Sequence, residues 1–153
     1  MAGYSGKPLA QKIGIKAGHR VVFRNHPASF VRDLGKLPEG VTKSDRLRGK
    51  ADVVVFFAHK LASLESDLSA LVRTMESNGM LWIAWPKRAS GLPTDLTEDV
   101  VRGVALGRGL VDVKVCAIDD TWSGLKLVIR LKDRPAKSQA VRGRSIAGKQ
   151  KEK

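Results

Sequence analysis

The chain has 153 residues, of which 42% are hydrophobic and 28% charged, and its formal net charge is +13. This length fits one domain with a single hydrophobic core, and the apolar runs are far shorter than the roughly 20 residues that cross a bilayer, which excludes a membrane-spanning protein. A single cysteine excludes an internal disulfide and a thiolate zinc site. The first residues contain no apolar export segment, so the sequence predicts a cytoplasmic protein.

The positive charge is divided between a domain and a tail. With eight Lys or Arg and two acids, residues 132–153 contribute +6, which leaves +7 on residues 1–131. The segment 132–153 has almost no large apolar side chain and cannot compensate the entropy of ordering, so we predict one domain over 1–131 and a disordered basic tail. Counterion release makes this tail a candidate contact for nucleic acid, although basic tails are also common solubilising segments.

The first third of the chain contains short elements separated by glycine. Apolar spacing and turn residues predict helices over 5–14 and 30–34, and strands over 21–23, 41–47 and 51–57. Ser5 would cap the first helix and Gly14 would end it. The strand at 41–47 is polar, whereas the last of these strands has the sequence Ala-Asp-Val-Val-Val-Phe-Phe, which is typical of a central strand buried on both faces.

A crossover helix is predicted to follow that central strand. Ser63 would cap this helix, which would end at 78–79, and the apolar run at 80–85 would form the next parallel strand. Asp95, with Glu98 three residues later, has the form of a capping box that opens another helix. The domain is completed by a strand at 110–118, a turn at 119–124 and a returning strand at 125–131.

These elements predict a small α/β domain of the Rossmann-like type, with a mostly parallel sheet, a C-terminal antiparallel hairpin strand and helices on both faces. In such open sheets the ligand crevice lies beyond the carboxyl ends of the strands, where loops diverge toward opposite faces. We expect that edge to collect the segments 24–26, 58–60 and 86–88 together with the hairpin turn at 119–124.

The residues at this edge favour an anionic small molecule as ligand. In this hypothesis Lys87 and Arg24 supply positive charge, Asn25 and Ser123 supply hydrogen bonds, and Trp122 supplies an aromatic wall. The candidate ligand-binding residues are Arg24, Asn25, Lys87, Asp95, Asp119, Asp120, Trp122 and Ser123. A structural interpretation stays open, in which Lys87 pairs with one of the two aspartates of the turn and Trp122 covers the core of the hairpin.

Other reactive side chains are interpreted as structural. His19 precedes the first strand and would lie at the opposite edge, Lys114 fits an edge strand with its ammonium in solvent, and Cys116 fits a half-buried small hydrophobe. The sequence contains no Gly-x-Ser-x-Gly, His-Glu-x-x-His or Walker motif. Catalytic residues and any cofactor are therefore left unassigned, and no metal site is predicted.

The order of the later elements, from the central strand at 51–57 to the final hairpin, resembles the later half of a class I S-adenosylmethionine methyltransferase. In that family a glycine-rich loop follows the first strand, and an acid that binds the ribose hydroxyls ends the second. Here the loop at 24–28 contains no glycine, and no acid is predicted to end the second strand. Only 28 residues separate Phe23 from Asp52, which leaves room for one reduced unit in place of two.

A second resemblance covers roughly residues 1–131. The segments 84–87, 90–91, 94–98 and 111–130 resemble an uncharacterised bacterial domain-of-unknown-function family, DUF3052. This resemblance implies a shared fold and a shared edge, and no activity. The sequence thus predicts a small Rossmann-like binding protein, with two alternatives: a nucleic-acid or ribosome-associated accessory protein, and a divergent S-adenosylmethionine-dependent methyltransferase. The oligomeric state is not predicted.

Overall fold

The centre of the computed structural model, which describes residues 8–130, is a six-stranded sheet. In chain order the strands are β1 Arg20–Arg24, β2 Thr42–Ser44, β3 Ala51–Phe57, β4 Met75–Pro86, β5 Leu110–Ala117 and β6 Trp122–Ile129. Their order across the sheet is β2-β1-β3-β4-β6-β5. β1 is parallel to β2 and β3, β3 is parallel to β4, and β6 is antiparallel to both of its neighbours. The predicted mostly parallel sheet with a final hairpin is confirmed.

Helices cover both faces of the sheet, as predicted. They are α1 Leu9–Ile13, α2 Ala28–Leu34, α3 Leu61–Thr74 and α4 Glu98–Leu106, with a short 3-10 helix at Arg88–Ser90. The first face, covered by α1 and α2, buries Val53, Val55 and Phe57 of β3. The second face, covered by α3 and α4, buries Val54 and Phe56. The apolar run of β3 thus fills two cores at once, because neighbouring residues of a strand point to opposite faces. No helix within residues 8–130 is both long and apolar enough to cross a membrane.

The C-terminal end of α3 differs from the prediction. The helix stops at Thr74, whose hydroxyl donates to the carbonyl of Ala70 at 2.9 Å, and Met75 already pairs with Ala51 in the sheet. A Cβ atom at Gly79 would lie 2.9 Å from the carbonyl oxygen of Asp52, so only glycine permits this close approach to β3. Sheet pairing therefore extends β4 backward from the predicted start at residue 80, and it shortens the helix.

The predicted caps at Ser63 and Asp95 are also wrong. α3 begins at Leu61, so Ser63 lies inside the helix, and Lys60 at the N-cap position provides no side-chain bond. α4 is capped by Thr97, whose Oγ1 accepts from the backbone N–H of Val100 at 3.2 Å. Asp95 has a different partner: its Oδ1 accepts from the backbone N–H of Leu61 at 2.7 Å. Asp95 therefore caps α3 at Leu61, a residue 34 positions earlier in the chain. It supplies the acceptor that Lys60, the N-cap residue of α3, does not provide.

Other predicted boundaries are shifted, or they lie outside the described residues. β2 ends at Ser44 instead of residue 47, and β6 starts at Trp122 and ends at Ile129 instead of spanning 125–131. Ser5 and the predicted tail at 132–153 lie outside the described residues.

β5 forms one edge of the sheet and is irregular. Its register to β6 shifts between Asp112 and Lys114, which leaves Val113 without a partner and 51% exposed. Lys114 lies opposite Lys126; burial, together with the charges of Lys114 and Lys16, lowers the pKa of Lys126. The predictions for two residues of this strand are confirmed: Lys114 is exposed on an edge strand, and Cys116 is half-buried.

Trp82 joins the first-face core to α1. Its indole is fully buried, and its Nε1 donates to the carbonyl oxygen of Ile13, the last residue of α1, at 2.9 Å. The ring also lies directly over Gly124 of β6, where an added Cβ would be 3.0 Å from Cε3 of Trp82 and 3.0 Å from Cδ1 of Ile118. Because Trp82 and Ile118 are both fully buried, neither has room to move.

We predict that Gly124→Ala lowers the free energy of unfolding by about 1–3 kcal/mol, which is typical of overpacking a filled core. Gly103, in the interior of α4, is exposed with open space around it. Gly103→Ala, the matched control, should raise stability by about 0.5–1 kcal/mol, because glycine is the poorer helix former. Urea denaturation of both variants measures this difference; equal or higher stability of Gly124→Ala would contradict the packing described.

A second prediction concerns the cap that Asp95 supplies to α3. Asp95→Ala should cost about 1 kcal/mol, the usual effect of losing an N-cap acceptor. Asp95→Asn keeps an oxygen acceptor and should cost clearly less. Urea denaturation gives the stability, and hydrogen exchange at the amide of Leu61 should become faster only in the alanine variant. Equal losses in the two variants would mean that this hydrogen bond does not stabilise the helix.

Candidate functional site

The carboxyl ends of the parallel strands, here called the carboxyl edge, carry several depressions. The hairpin turn lies at this edge as predicted, because Trp122 at the start of β6 pairs with Pro86 at the end of β4. Around the ends of β1 to β4, depressions of about 190, 530, 410 and 550 Å³ follow one another.

The predicted ligand-binding residues are divided among these depressions. Lys87, Asp95 and Ser123 line the 550 Å³ depression beside the end of β4. Asn25 lines the 410 Å³ depression between β1 and β3, and Arg24 lines the 530 Å³ depression beside β2. The structure therefore brings together three of the eight residues in one place and leaves Arg24 and Asn25 in two neighbouring places.

Asp119 and Trp122 have structural partners. Oδ1 of Asp119 accepts from the backbone N–H groups of Thr121 and Trp122, each at 2.8 Å, and this closes the hairpin turn. The indole of Trp122 is 6% exposed, with its ring centroid 5.0 Å from that of Phe57 and 5.1 Å from that of His59. Both edge-to-face contacts match the alternative in which Trp122 covers the core. Asp120 is exposed in the same turn.

The crevice between β1 and β3 is the topological switch point of the sheet. From β1 the chain passes through α2 on the first face to β2 on one side, and from β3 it passes through α3 on the second face to β4 on the other side. Loops that diverge in this way open a crevice where ligands of doubly wound sheets bind. The switch-point pocket, as we call it, has a volume of about 410 Å³ and is lined by Asn25, Phe57, Ala58, His59, Lys60, Ala62 and Ser63.

Asn25 enters the switch-point pocket in an uncommon backbone conformation. Its φ is +61°, and within residues 8–130 no other non-glycine residue has a positive φ. Asparagine adopts this left-handed conformation more readily than other side chains with a Cβ. The loop after β1 thus makes the sharp turn that glycine commonly provides, although residues 24–28 contain no glycine.

An acid does follow the second strand, so the prediction that none would is wrong. β2 ends at Ser44, and Asp45 comes directly after it, exposed, lining the depressions on both sides of β2. The prediction failed because it continued the strand to residue 47. Aspartate is disfavoured within strands, so the sequence did contain an indication of this boundary.

The loop between β4 and α4 is fastened to the switch-point pocket by two hydrogen bonds. Oγ1 of Thr94 donates to the carbonyl of His59 at 2.5 Å, and Leu61 donates to Asp95 as described above. The next two backbone N–H groups of α3, those of Ala62 and Ser63, lie in the first turn, where a helix has no internal acceptors and favours anions. The pocket therefore combines this helix end with the side chains of His59 and Lys60.

Cys116 does not have the surroundings of a reactive thiol. Burial raises the pKa of its thiol, and the nearby charges of Lys12 and Lys114 oppose this increase. The thiol therefore stays protonated near neutral pH, as expected for a small hydrophobe. His19 precedes β1 and so lies at the opposite edge of the sheet, as predicted. In the part of the chain that the structure describes, no group of three His, Cys, Asp or Glu side chains is arranged to hold a metal ion.

Comparison with known proteins gives similarity in structure only. No family model matches the chain, and no curated protein matches it either, so the resemblance to a domain-of-unknown-function family is not confirmed. Among solved structures, an S-adenosylmethionine-dependent methyltransferase from Aquifex aeolicus is similar at 14% identity and TM-score 0.57, over 79% of this chain and 88% of that one.

Two further methyltransferase structures show the same similarity. Ribosomal protein L11 methylase from Lactobacillus delbrueckii subsp. bulgaricus has 10% identity and TM-score 0.56 over 80% of this chain and 75% of its own. Magnesium protoporphyrin IX methyltransferase from Synechocystis, solved with bound S-adenosylmethionine, has 11% identity and TM-score 0.53 over 80% and 74%. At these identities the comparison establishes the fold, and the chain has the methyltransferase-like Rossmann fold that its element order predicted.

Proposed function

We propose that the protein binds an adenosyl ligand of the S-adenosylmethionine type in the switch-point pocket and is a divergent methyltransferase. The observation that carries this proposal is the pocket itself, which lies at the topological switch point between β1 and β3. Its volume of about 410 Å³ falls within the usual range of small-ligand sites, roughly 300–1,000 Å³. This proposal develops one of the alternatives from the sequence and retains the carboxyl edge as the site.

The residues around the pocket fit such a ligand. Asp45 lines the two neighbouring depressions beside β2 and not the switch-point pocket itself. Its carboxylate is suited to accept hydrogen bonds from the ribose hydroxyls of a ligand that extends from the pocket toward β2. Asn25, in its left-handed conformation, allows the loop backbone to approach a ligand closely. The first turn of α3, with Lys60 beside it, favours the carboxylate of an amino-acid moiety. When bound, S-adenosylmethionine would supply a methyl group that its sulfonium makes transferable.

The neighbouring 550 Å³ depression is the proposed place of the second substrate. Lys87, Asp95 and Ser123 line it. Thr94 of the same lining donates to the carbonyl of His59 in the switch-point pocket, so the two depressions lie next to each other. In a methyl transfer the main contribution of the protein is to hold the donor and the acceptor in line. The ligand-binding residues predicted from the sequence at this end of β4 thus have a role in the proposal, as contacts of the methyl acceptor.

We predict that Asp45→Ala weakens the binding of S-adenosylmethionine and S-adenosylhomocysteine about tenfold or more, because a hydrogen bond to a charged group contributes about 1.5–3 kcal/mol. Asp33→Ala is the matched control, since it removes one exposed acid from α2, and it should bind like the wild type. Isothermal titration calorimetry on the full-length chain measures both. If the wild type gives neither heat nor a thermal shift with any adenosyl compound, the proposal fails; binding of phosphorylated metabolites alone would favour the anionic ligand that the sequence first suggested.

A further inference from the structure

The loop between β2 and β3, residues 45–50 and here called the β2–β3 loop, lies in the most basic part of the described chain. Residues 43–50 contain four cations, Lys43, Arg46, Arg48 and Lys50, and one acid, Asp45. Their net charge is +3. Arg20 and Arg24 of β1 lie against the same loop and add to its positive field.

Two arginines of β1 hold the backbone of this loop in place. The guanidinium of Arg20 donates to the carbonyls of Lys50 and Arg48, the latter at 2.6 Å. Nη1 of Arg24 donates to the carbonyl of Asp45 at 3.0 Å. Because the carbonyls are bonded toward β1, the exposed side chains of Arg46 and Arg48 project from a fixed backbone.

Among the described residues, the loop arginines have no acidic partner, in contrast to Arg102. Arg102 on α4 is paired with Glu98, Asp99 and Asp112 at 2.5, 3.1 and 3.0 Å. Within residues 8–130, by contrast, neither Arg46 nor Arg48 has a carboxylate within ion-pair distance.

Arg24, which lines the depression beside the loop, has an unsatisfied donor. Its Nε is buried and has no hydrogen-bond partner among the described residues, and such orphaned donors are rare in folded proteins. Arg24, Arg46 and Arg48 all line the depression of about 530 Å³ beside β2. Three guanidinium groups around one concave surface are suited to phosphate, which the planar fork of arginine binds through two parallel hydrogen bonds.

The positive charge extends beyond a single phosphate site. Lys43 lines the separate 190 Å³ depression on the other side of Asp45, together with His26. A single phosphate group contacts one of these depressions, whereas a chain of phosphates can contact both. We propose that the β2–β3 loop and its two depressions bind the phosphate backbone of a nucleic acid strand. This proposal rests on residues of the domain and does not need the basic tail. Asp45 lines both depressions and is also the proposed ribose contact, so the nucleic acid strand and the adenosyl ligand would meet at this residue.

The proposal is tested on the full-length protein by fluorescence anisotropy with labelled single-stranded RNA, and with DNA of the same sequence, over a series of salt concentrations. Arg46→Ala/Arg48→Ala should weaken binding about tenfold at low salt. It should also reduce the slope of log K against log salt by about 1.4, since each phosphate contact on a single strand contributes about 0.7. The tail is present in every variant, so its contribution to the slope is constant.

Arg32→Ala/Arg73→Ala is the matched control, because it removes the same charge from exposed positions on α2 and α3. Affinity and slope should stay at the wild-type values. Equal losses in the two double variants would show an effect of net charge alone and would overturn the proposal, as would an unchanged slope in Arg46→Ala/Arg48→Ala. If inorganic phosphate displaces the RNA at constant ionic strength, the site takes a single phosphate group and the assignment to a polymer fails. Thermal melting of each variant checks that the fold is intact.

Discussion

The burial of β3 on both faces is the constraint on which the rest of the structure depends. Seven residues of this strand separate two hydrophobic cores, and parallel pairing to β1 and β4 on either side fixes its register. Because the strands at its sides are parallel to it, the loops that follow all of them emerge at one edge. The chain leads from β1 to a strand on one side and from β3 to a strand on the other, so right-handed crossovers place the two helices on opposite faces, which creates the switch-point pocket. The candidate site thus follows from the way in which one apolar strand is covered.

The sequence predicted the parts of the fold that depend on continuous apolar runs. In β3 every residue except Asp52 is buried, and in β4 residues 81–86 are buried. These apolar runs predict strands without ambiguity, so the parallel crossover and the final hairpin followed from the residues themselves. The boundaries that failed depend on distant partners. Met75 belongs to β4 only because Ala51 pairs with it, and Asp95 caps α3 only because folding brings two segments together that are 34 residues apart. Neither relation is visible in a local pattern.

The candidate site was predicted in position more accurately than in composition. Arg24, Asn25 and Lys87 lie at the carboxyl edge, as predicted, because the direction of the strands alone decides at which edge they lie. The acid after β2 was missed because a three-residue strand gives too little periodicity to locate its end. Asn25 shows a second reason: the family resemblance directed attention to glycine, whereas the structure needs a left-handed residue, and asparagine also adopts that conformation.

Arg24 and Asn25 are neighbours in the chain and belong to the two different surfaces for which ligands are proposed. Arg24 bonds to the backbone of the β2–β3 loop, and Asn25 lines the switch-point pocket.

The irregular edge strand β5, at the far side of the sheet, affects how the molecule can associate with other copies. An edge of eight residues with exposed Val113 and Val115 is a template for sheet growth from one molecule to the next. The unmatched Val113 breaks the flat hydrogen-bonding row, and an added strand would bring more backbone against the like charges of Lys114 and Lys126. The strand that completes the fold is therefore built in a way that resists aggregation.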